Sequence, residues 1–189
     1  MARRLTPEAR RAEIVSIAHG VIAEEGYRGL SLREIARRCG MSAPGLMHYF
    51  PDMDSLLTAV LEHRDEADIA AIAGDATEAR SLAELIEAAA AYYAERRDDV
   101  RVFDALQAEA LDPTHPAHEW FTSRNARNLE ALRPVLEREF ADPDTALRLL
   151  KYLLDGMRVN RMWGDDNVDF FTDLEAIRMA LVGGLKPAS

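Results

Sequence analysis

Apolar residues recur every three or four positions along most of this 189-residue chain and hardly anywhere alternate one by one. The first spacing belongs to helices with one buried face and the second to strands, so the pattern predicts an all-α chain. Thr6-Pro7 offers an N-cap and a proline at the first helical position; Ile14, Ile17, Ala18, Val21 and Ile22 follow as one stripe, and Gly26 stops it. Ser31 and Glu34 read as a capping box ahead of Leu32, Ile35, Ala36 and Cys39, with Gly40 as the stop. Ser42 caps a further short helix over 43–50, where Pro44 is tolerated because a first-turn residue needs no backbone donor. Asp52 opens a helix carrying Leu56, Leu57, Val60 and Leu61 that extends to the neighbourhood of Gly74.

Beyond Gly74 the predicted helices lengthen. A capping box at Ser81 and Glu84 opens the stripe Leu82, Leu85, Ile86, Ala89, Tyr92 and Tyr93, and Val100, Phe103 and Leu106 mark the next helix. The turn "LDPTHPAHEW" leads into one long helix with Phe121, Leu129, Leu132, Val135, Leu136 and Phe140 on its apolar side, which Pro134 should kink. Asp142-Pro143 opens a helix reaching Trp163, and Asp169 opens the last, which ends at Gly183 and Gly184. The expected architecture is about nine helices: an N-terminal three-helix unit over residues 1–52 and a helical domain over 53–189.

Helices 32–39 and 43–50 are joined by Gly40-Met41-Ser42, the short connection of a helix-turn-helix. Ala36 is small enough for close packing of the second helix, and Gly40 can adopt the left-handed backbone the turn needs. Leu46 and Phe50, four residues apart, make the inner side of the second helix and leave Ala43, Pro44, Gly45, Met47 and His48 facing outward. Short side chains let a helix approach base edges in the DNA major groove, and a methyl-bearing surface can meet thymine. His48 and Tyr49 can donate to phosphates, while Ser31 and Ser42 place helix N-termini where a phosphate could sit.

Charge sharpens this reading. Residues 1–50 carry eight arginines against five glutamates, a net +3, so that −13 of the overall −10 falls on the remainder. A basic end on an acidic body fits a polyanion partner for that end alone, with Arg3 and Arg4 as an arm and Arg33 near a phosphate. No run of 18 apolar residues or apolar leader occurs, which points to a cytoplasmic protein without a membrane partner. The single Cys39, beside Ile35 and Ala36, reads as a small buried residue and excludes an internal disulfide.

Here the run "RRAEIVSIAHGVIAEEGYRGLSLREIARRCGMSAPGLMHYFPDMDSLLTAVLEH" resembles the N-terminal domain of TetR-type transcriptional regulators, most specifically in "EEGYRGLSLREIARRCGMS" and in the "YFP" ending followed by "LL-x-AVL". The resemblance implies an all-helical homodimeric repressor that binds a double-stranded operator and is released by a small effector in its divergent C-terminal domain. Two positions depart from the family pattern. Met53 stands where a phosphate-holding lysine is common, and Met47 where a tyrosine is common.

Elsewhere the chemistry is thinner. His115 and His118, with Glu109 nearby, are separated by a proline that opposes helical presentation of two ligands, so no metal and no cofactor is expected. Gly-rich phosphate loops, nucleophile elbows and paired catalytic motifs do not occur, which argues against an enzyme. Polar groups among aromatics mark an expected effector pocket: Glu109, Asn125, Asn128 and Asp155 near Tyr92, Phe103, Trp120, Phe121 and Tyr152. The same polar groups can equally pair with one another. The last two helices, with Leu149, Leu150, Leu153, Leu154 and Met157 on one and Phe170, Phe171, Leu174, Ile177, Leu181 and Val182 on the other, carry stripes wider than one core contact needs, as a homodimer interface would. The alternative is a helical small-molecule-binding or metal-dependent protein whose N-terminal helices are merely structural.

Overall fold

The computed structural model describes residues 5–74, 80–163 and 170–185. Among these are ten helices and no strand: α1 (Pro7–Glu25), α2 (Leu32–Arg38), α3 (Ala43–Met47), α4 (Met53–Ala73), α5 (Leu82–Ala94), α6 (Arg97–Glu109), α7 (His118–Glu130), α8 (Arg133–Glu139), α9 (Pro143–Met162) and α10 (Phe170–Gly184). The all-α expectation holds. The long helix expected across Phe121 to Phe140 is instead two, α7 and α8. Pro134 has no N–H to give and its ring crowds the carbonyl four residues back, so the ladder stops at Glu130. Ala131 N donates to Arg127 O at 2.9 Å and Leu132 N to Leu129 O at 3.1 Å before α8 begins.

Most predicted caps form. Thr6 accepts from Ala9 N, Asp52 and Ser55 make a reciprocal capping box, Ser81 and Glu84 make another, and Asp142 accepts from Thr145 N. The box at Ser31 is only half formed: Ser31 Oγ accepts from Glu34 N at 3.3 Å, but the Glu34 carboxylate turns to Arg37 and Arg38 on the next turn of α2. A start at Asp169 lies outside the described residues.

Two apolar cores result. The first joins Ile14, Ala18 and Ile22 of α1, Ile35 of α2, Leu46 of α3 and Leu56, Leu57, Val60 and Leu61 of α4, and takes in Phe103, Leu106 and Phe121 from α6 and α7. The second gathers Leu82, Ile86, Val100, Leu136, Leu150, Leu174, Ile177 and Leu181. Burying one such side chain contributes about 1.5–3 kcal/mol. Helix α4 belongs to both halves and changes character along its length. Its inward positions are Leu57 and Leu61 and then, on the same side one and two turns further, Asp65 and Asp68, which are 8% and 3% exposed. Carboxylates so placed must be paired, and each is.

Candidate nucleic-acid interface and inner cavity

The turn between α2 and α3 is built by backbone geometry. Gly40 has φ 64°, Gly40 N donates to Arg37 O at 3.1 Å and Met41 N to Ala36 O at 2.9 Å. This is the double closure of a helix C-terminus that a left-handed glycine permits. Ala36 is buried beneath it, and Ser42 Oγ caps α3 by accepting from Gly45 N at 3.2 Å.

Leu46 and Phe50, 0% and 1% exposed, seat α3 on the first core, while Pro44, Met47 and His48 project into solvent, Met47 at 51%. Ala43, Gly45 and Tyr49 are half-buried, Ala43 and Tyr49 against the core edge. Thus three of the five residues expected to face outward do so fully. Gly45 has a local reason to lack a side chain, since a Cβ there would lie 3.1 Å from the capping Ser42 Oγ. Met53 is half-buried against the core at the start of α4, and Cys39 is half-buried rather than buried, its thiol pushed up chiefly by desolvation.

Exposed Arg33 enters none of the ion pairs among the described residues, whereas Arg37 and Arg38 share Glu34 and Arg38 also reaches Glu25. Those two hydrogen-bonding guanidiniums hold the Glu34 carboxyl down at about 2. Arg11 lies over the Phe50 ring at 4.8 Å. Arg3 and Arg4 lie outside the described residues.

Behind these helices lies a cavity of about 500 Å³, a size suited to a small ligand. Of the residues expected there, Phe103, Trp120, Phe121, Asn125, Asn128 and Asp155 line it. Three do not. Tyr92 lies under Arg96, Glu109 pairs with Arg28 at 2.9 Å across a smaller cleft lined by Tyr27 and His115, and Tyr152 is 61% exposed on the outer side of α9. Helical spacing placed Tyr92 and Tyr152 one position from Tyr93 and Lys151, which do line the cavity, and Glu109 at the far end of α6.

Sequence reasoning missed the cavity's charges: Arg64, Asp104, Arg124, Arg158 and Arg161 all line it, with Tyr93. Arg124 Nε donates to Asp65 at 2.6 Å and Asn128 Nδ2 to the same oxygen at 3.1 Å. Arg64 binds Asp68 and Asp99, each at 3.1 Å, and lies over the Phe103 ring at 4.4 Å. Tyr93 Oη donates to Asp68 at 3.1 Å, and burial together with that carboxylate raises the phenol well above its usual value. The available signal was the run of aspartates on α4 in register with Leu57 and Leu61.

The cavity wall touches the N-terminal helices directly. His19 of α1 stacks near Phe103 and brings Nε2 within 3.0 Å of Asp99, the carboxylate that also holds Arg64; the contact is angled away from a straight hydrogen bond. Burial works to raise Asp99, but His19 and Arg64 overcome it and keep the carboxyl below its usual range. His115 and His118 serve the turn before α7: Ala117 N donates to His115 Nδ1 at 3.2 Å, and His118 Nδ1 lies 2.8 Å from Ala110 O.

On the outer side of α9, Tyr152, Val159 and Trp163 are 61%, 47% and 84% exposed, with Leu149 at 38% and Gly156 open between them. Met179 of α10 is 58% exposed. Leu150 and Met157, expected in this stripe, are buried inside the subunit, and Leu153 and Leu154 are half-buried against the second core, as Leu174, Ile177 and Leu181 are buried within it. Phe170, Phe171 and Val182 lie outside the residues whose side chains are described. Among the described residues no helix is long and apolar enough to cross a membrane.

Residues 14–60 match the family described as bacterial regulatory proteins, tetR family. Among curated proteins, the chain is 37% identical over 62 residues to the HTH-type transcriptional regulator PksA of Bacillus subtilis, covering 33% of this chain and 30% of that one. It is 38% identical over 56 residues to the HTH-type transcriptional regulator BetI of Burkholderia thailandensis, covering 30% and 29%. The matches thus span under a third of the length of these relatives. Among solved structures, a TetR transcription regulator from Haloarcula marismortui superposes with a TM-score of 0.82 over 95% of this chain and 100% of that one, at 20% identity, a likeness of fold.

Proposed function

We propose that this chain, which belongs through residues 14–60 to the tetR family of bacterial regulatory proteins, is a cytoplasmic homodimeric transcriptional regulator that leaves a palindromic operator when a small molecule fills its inner cavity. One observation supports DNA binding above others: α3 stands on Leu46 and Phe50 and exposes Pro44, Met47 and His48, a short ridge of two apolar side chains and an imidazole, while exposed Arg33 near the start of α2 enters no ion pair among the described residues. Such a ridge gains nothing by packing within the subunit and fits a major groove. The Ser31 and Ser42 hydroxyls spend an acceptor on their helix caps, which leaves the O–H of each for a phosphate oxygen. In this reading residues 1–52 carry the DNA contacts, with Arg3 and Arg4 as an arm, and 53–189 carry effector and dimer functions.

Dimerisation is supported by the exposed strip Leu149, Tyr152, Val159 and Trp163 around Gly156, where a bare backbone allows a partner helix to cross closely. Two-fold symmetry then sets two α3 helices about 34–36 Å apart, one DNA turn. An effector can act only by preferring a conformation that breaks this spacing, and a 100-fold fall in operator affinity needs about 2.7 kcal/mol of differential binding. Operator DNA must weaken effector binding by the same factor.

Fluorescence anisotropy with the gene's own upstream DNA tests the reading. Saturable binding by two subunits per site is expected, with Met47→Ala changing which sequences are preferred and Tyr49→Phe weakening all alike. Binding no tighter to upstream DNA than to random duplex would favour the helical ligand-binding protein that ignores DNA.

A further inference from the structure

One arginine in the lining of the inner cavity has hydrogen-bonding capacity left over. On the side formed by α6 and α9, Arg161 binds Asp104 through Nη2 at 2.6 Å and Nε at 3.2 Å, and Lys151 binds Asp155 at 2.8 Å. Arg158 is left with Nη1 on the same Asp155 at 3.0 Å and a distant approach of 3.9 Å to Asp104. Its side chain is 24% exposed, and Asp155, its main partner, is 43% exposed and already engaged by Lys151. A guanidinium carries five N–H donors, and a buried charge without full compensation is costly. Burial, with Arg124 and Arg161 close by, pulls Arg158 below the ordinary arginine value, against the opposing pull of Asp104 and Asp155. On the opposite side Arg64 faces two carboxylates, Asp68 and Asp99, so the guanidinium with unfilled donors is the one on α9. The apolar part of the lining includes Trp120, Phe121, Leu129 and Leu154, beside the polar Gln107, Asn125 and Asn128.

We propose that the cavity binds an amphipathic organic monoanion, a carboxylate on an apolar body, whose oxygens take the free donors of Arg158 and whose body lies against Phe121, Trp120 and Leu154. The unfilled planar donors of one guanidinium suit one carboxylate. This deepens the effector reading above and rests on the same cavity.

The test is calorimetric titration of the full chain with a panel of straight-chain and naphthyl carboxylates, each beside its neutral primary amide. At least one acid is expected to bind ten-fold or more tightly than its amide. Arg158→Gln should reduce that acid's affinity at least ten-fold and leave the amide unchanged, and Arg158→Lys should recover part of the loss. Because Arg158 is under-compensated, Arg158→Gln should fold with a Tm no lower than the parent, which separates lost binding from lost structure. No acid preferred over its amide anywhere in the panel, or an acid preference that survives Arg158→Gln, overturns the anion site. An acid that binds through Arg158 but leaves operator affinity unchanged supports the anion site and refutes the effector reading. An amide that releases operator as well as its acid supports the effector reading and overturns the anion.

Discussion

Replacing Asp99 by alanine removes the carboxylate that joins α1 to the cavity wall. It accepts from Arg64 Nε at 3.1 Å and meets His19 Nε2 at 3.0 Å off-axis, with side-chain exposures of 19%, 15% and 29% for Asp99, Arg64 and His19. A hydrogen bond to a charged group contributes about 1.5–3 kcal/mol. Arg64 keeps Asp68, and the His19 contact is poorly aligned, so the expected loss is near the lower end, about 2 kcal/mol. For a protein of this length that lowers Tm by about 4–8 °C. His19→Ala removes the other end, and the double variant separates the pair term from each side chain's own packing. A coupling of about 1 kcal/mol is expected by urea unfolding, with the same sign in the loss of effector response measured on operator. If the two substitutions add to within about 0.5 kcal/mol in both stability and response, the pair transmits nothing and the link through it is wrong.

Three further outcomes follow from other contacts. Asp99 sits below its usual value in the folded state, so the unfolded chain binds more protons as pH falls; its stabilisation is present above the ordinary carboxylate value of 3.8 and lost below it, and Tm measured from pH 5 to 3 should fall less steeply in Asp99→Ala than in the parent. Gly45→Ala gains about 1 kcal/mol of helix propensity and spends a similar amount pressing on the Ser42 cap, so Tm should hold within a few degrees while operator affinity drops; equal losses in both would confine Gly45 to the cap. Val159→Glu places a charge in the exposed α9 strip and should give a monomer of 21.1 kDa by light scattering with helix content unchanged, and a surviving dimer would move the interface elsewhere.

The N-terminal helices were legible because each carries its own punctuation: Thr6-Pro7, Ser31, Gly40, Ser42 and Asp52 are local signals whose effect does not depend on what packs nearby. The cavity was legible only in part. Phe103, Phe121, Asn125 and Asn128 were placed, yet Asn128 also holds Asp65, so it binds structure as well as facing the void. Tyr152 and Glu109 were misplaced because a helical repeat names a side of a helix and not the neighbour that covers it. Arg158 and Arg161 were not singled out in the sequence for the same reason. Their spacing of three, one turn beyond Leu154 and beside Met157, was the sign that they point where the apolar stripe points.

Helix α4 changes its inner lining from leucine to aspartate just past Leu61, and the family match ends at residue 60. Hydrocarbon contacts tolerate many partners of suitable size, whereas Asp65 and Asp68 demand arginine, tyrosine or asparagine at fixed places on α7 and α5. The turn between Leu61 and Asp65 is therefore a seam. In the proposed reading, the DNA-contacting helices upstream of it can be inherited and the ligand-binding helices downstream exchanged, provided the new ones bring partners for the polar residues of the second half of α4 and for His19 of α1, which here meets Phe103 and Asp99. Hybrid regulators joined at residues 62–64 should fold from parts of unrelated relatives, while joints placed two turns later would split the carboxylates from the groups that hold them.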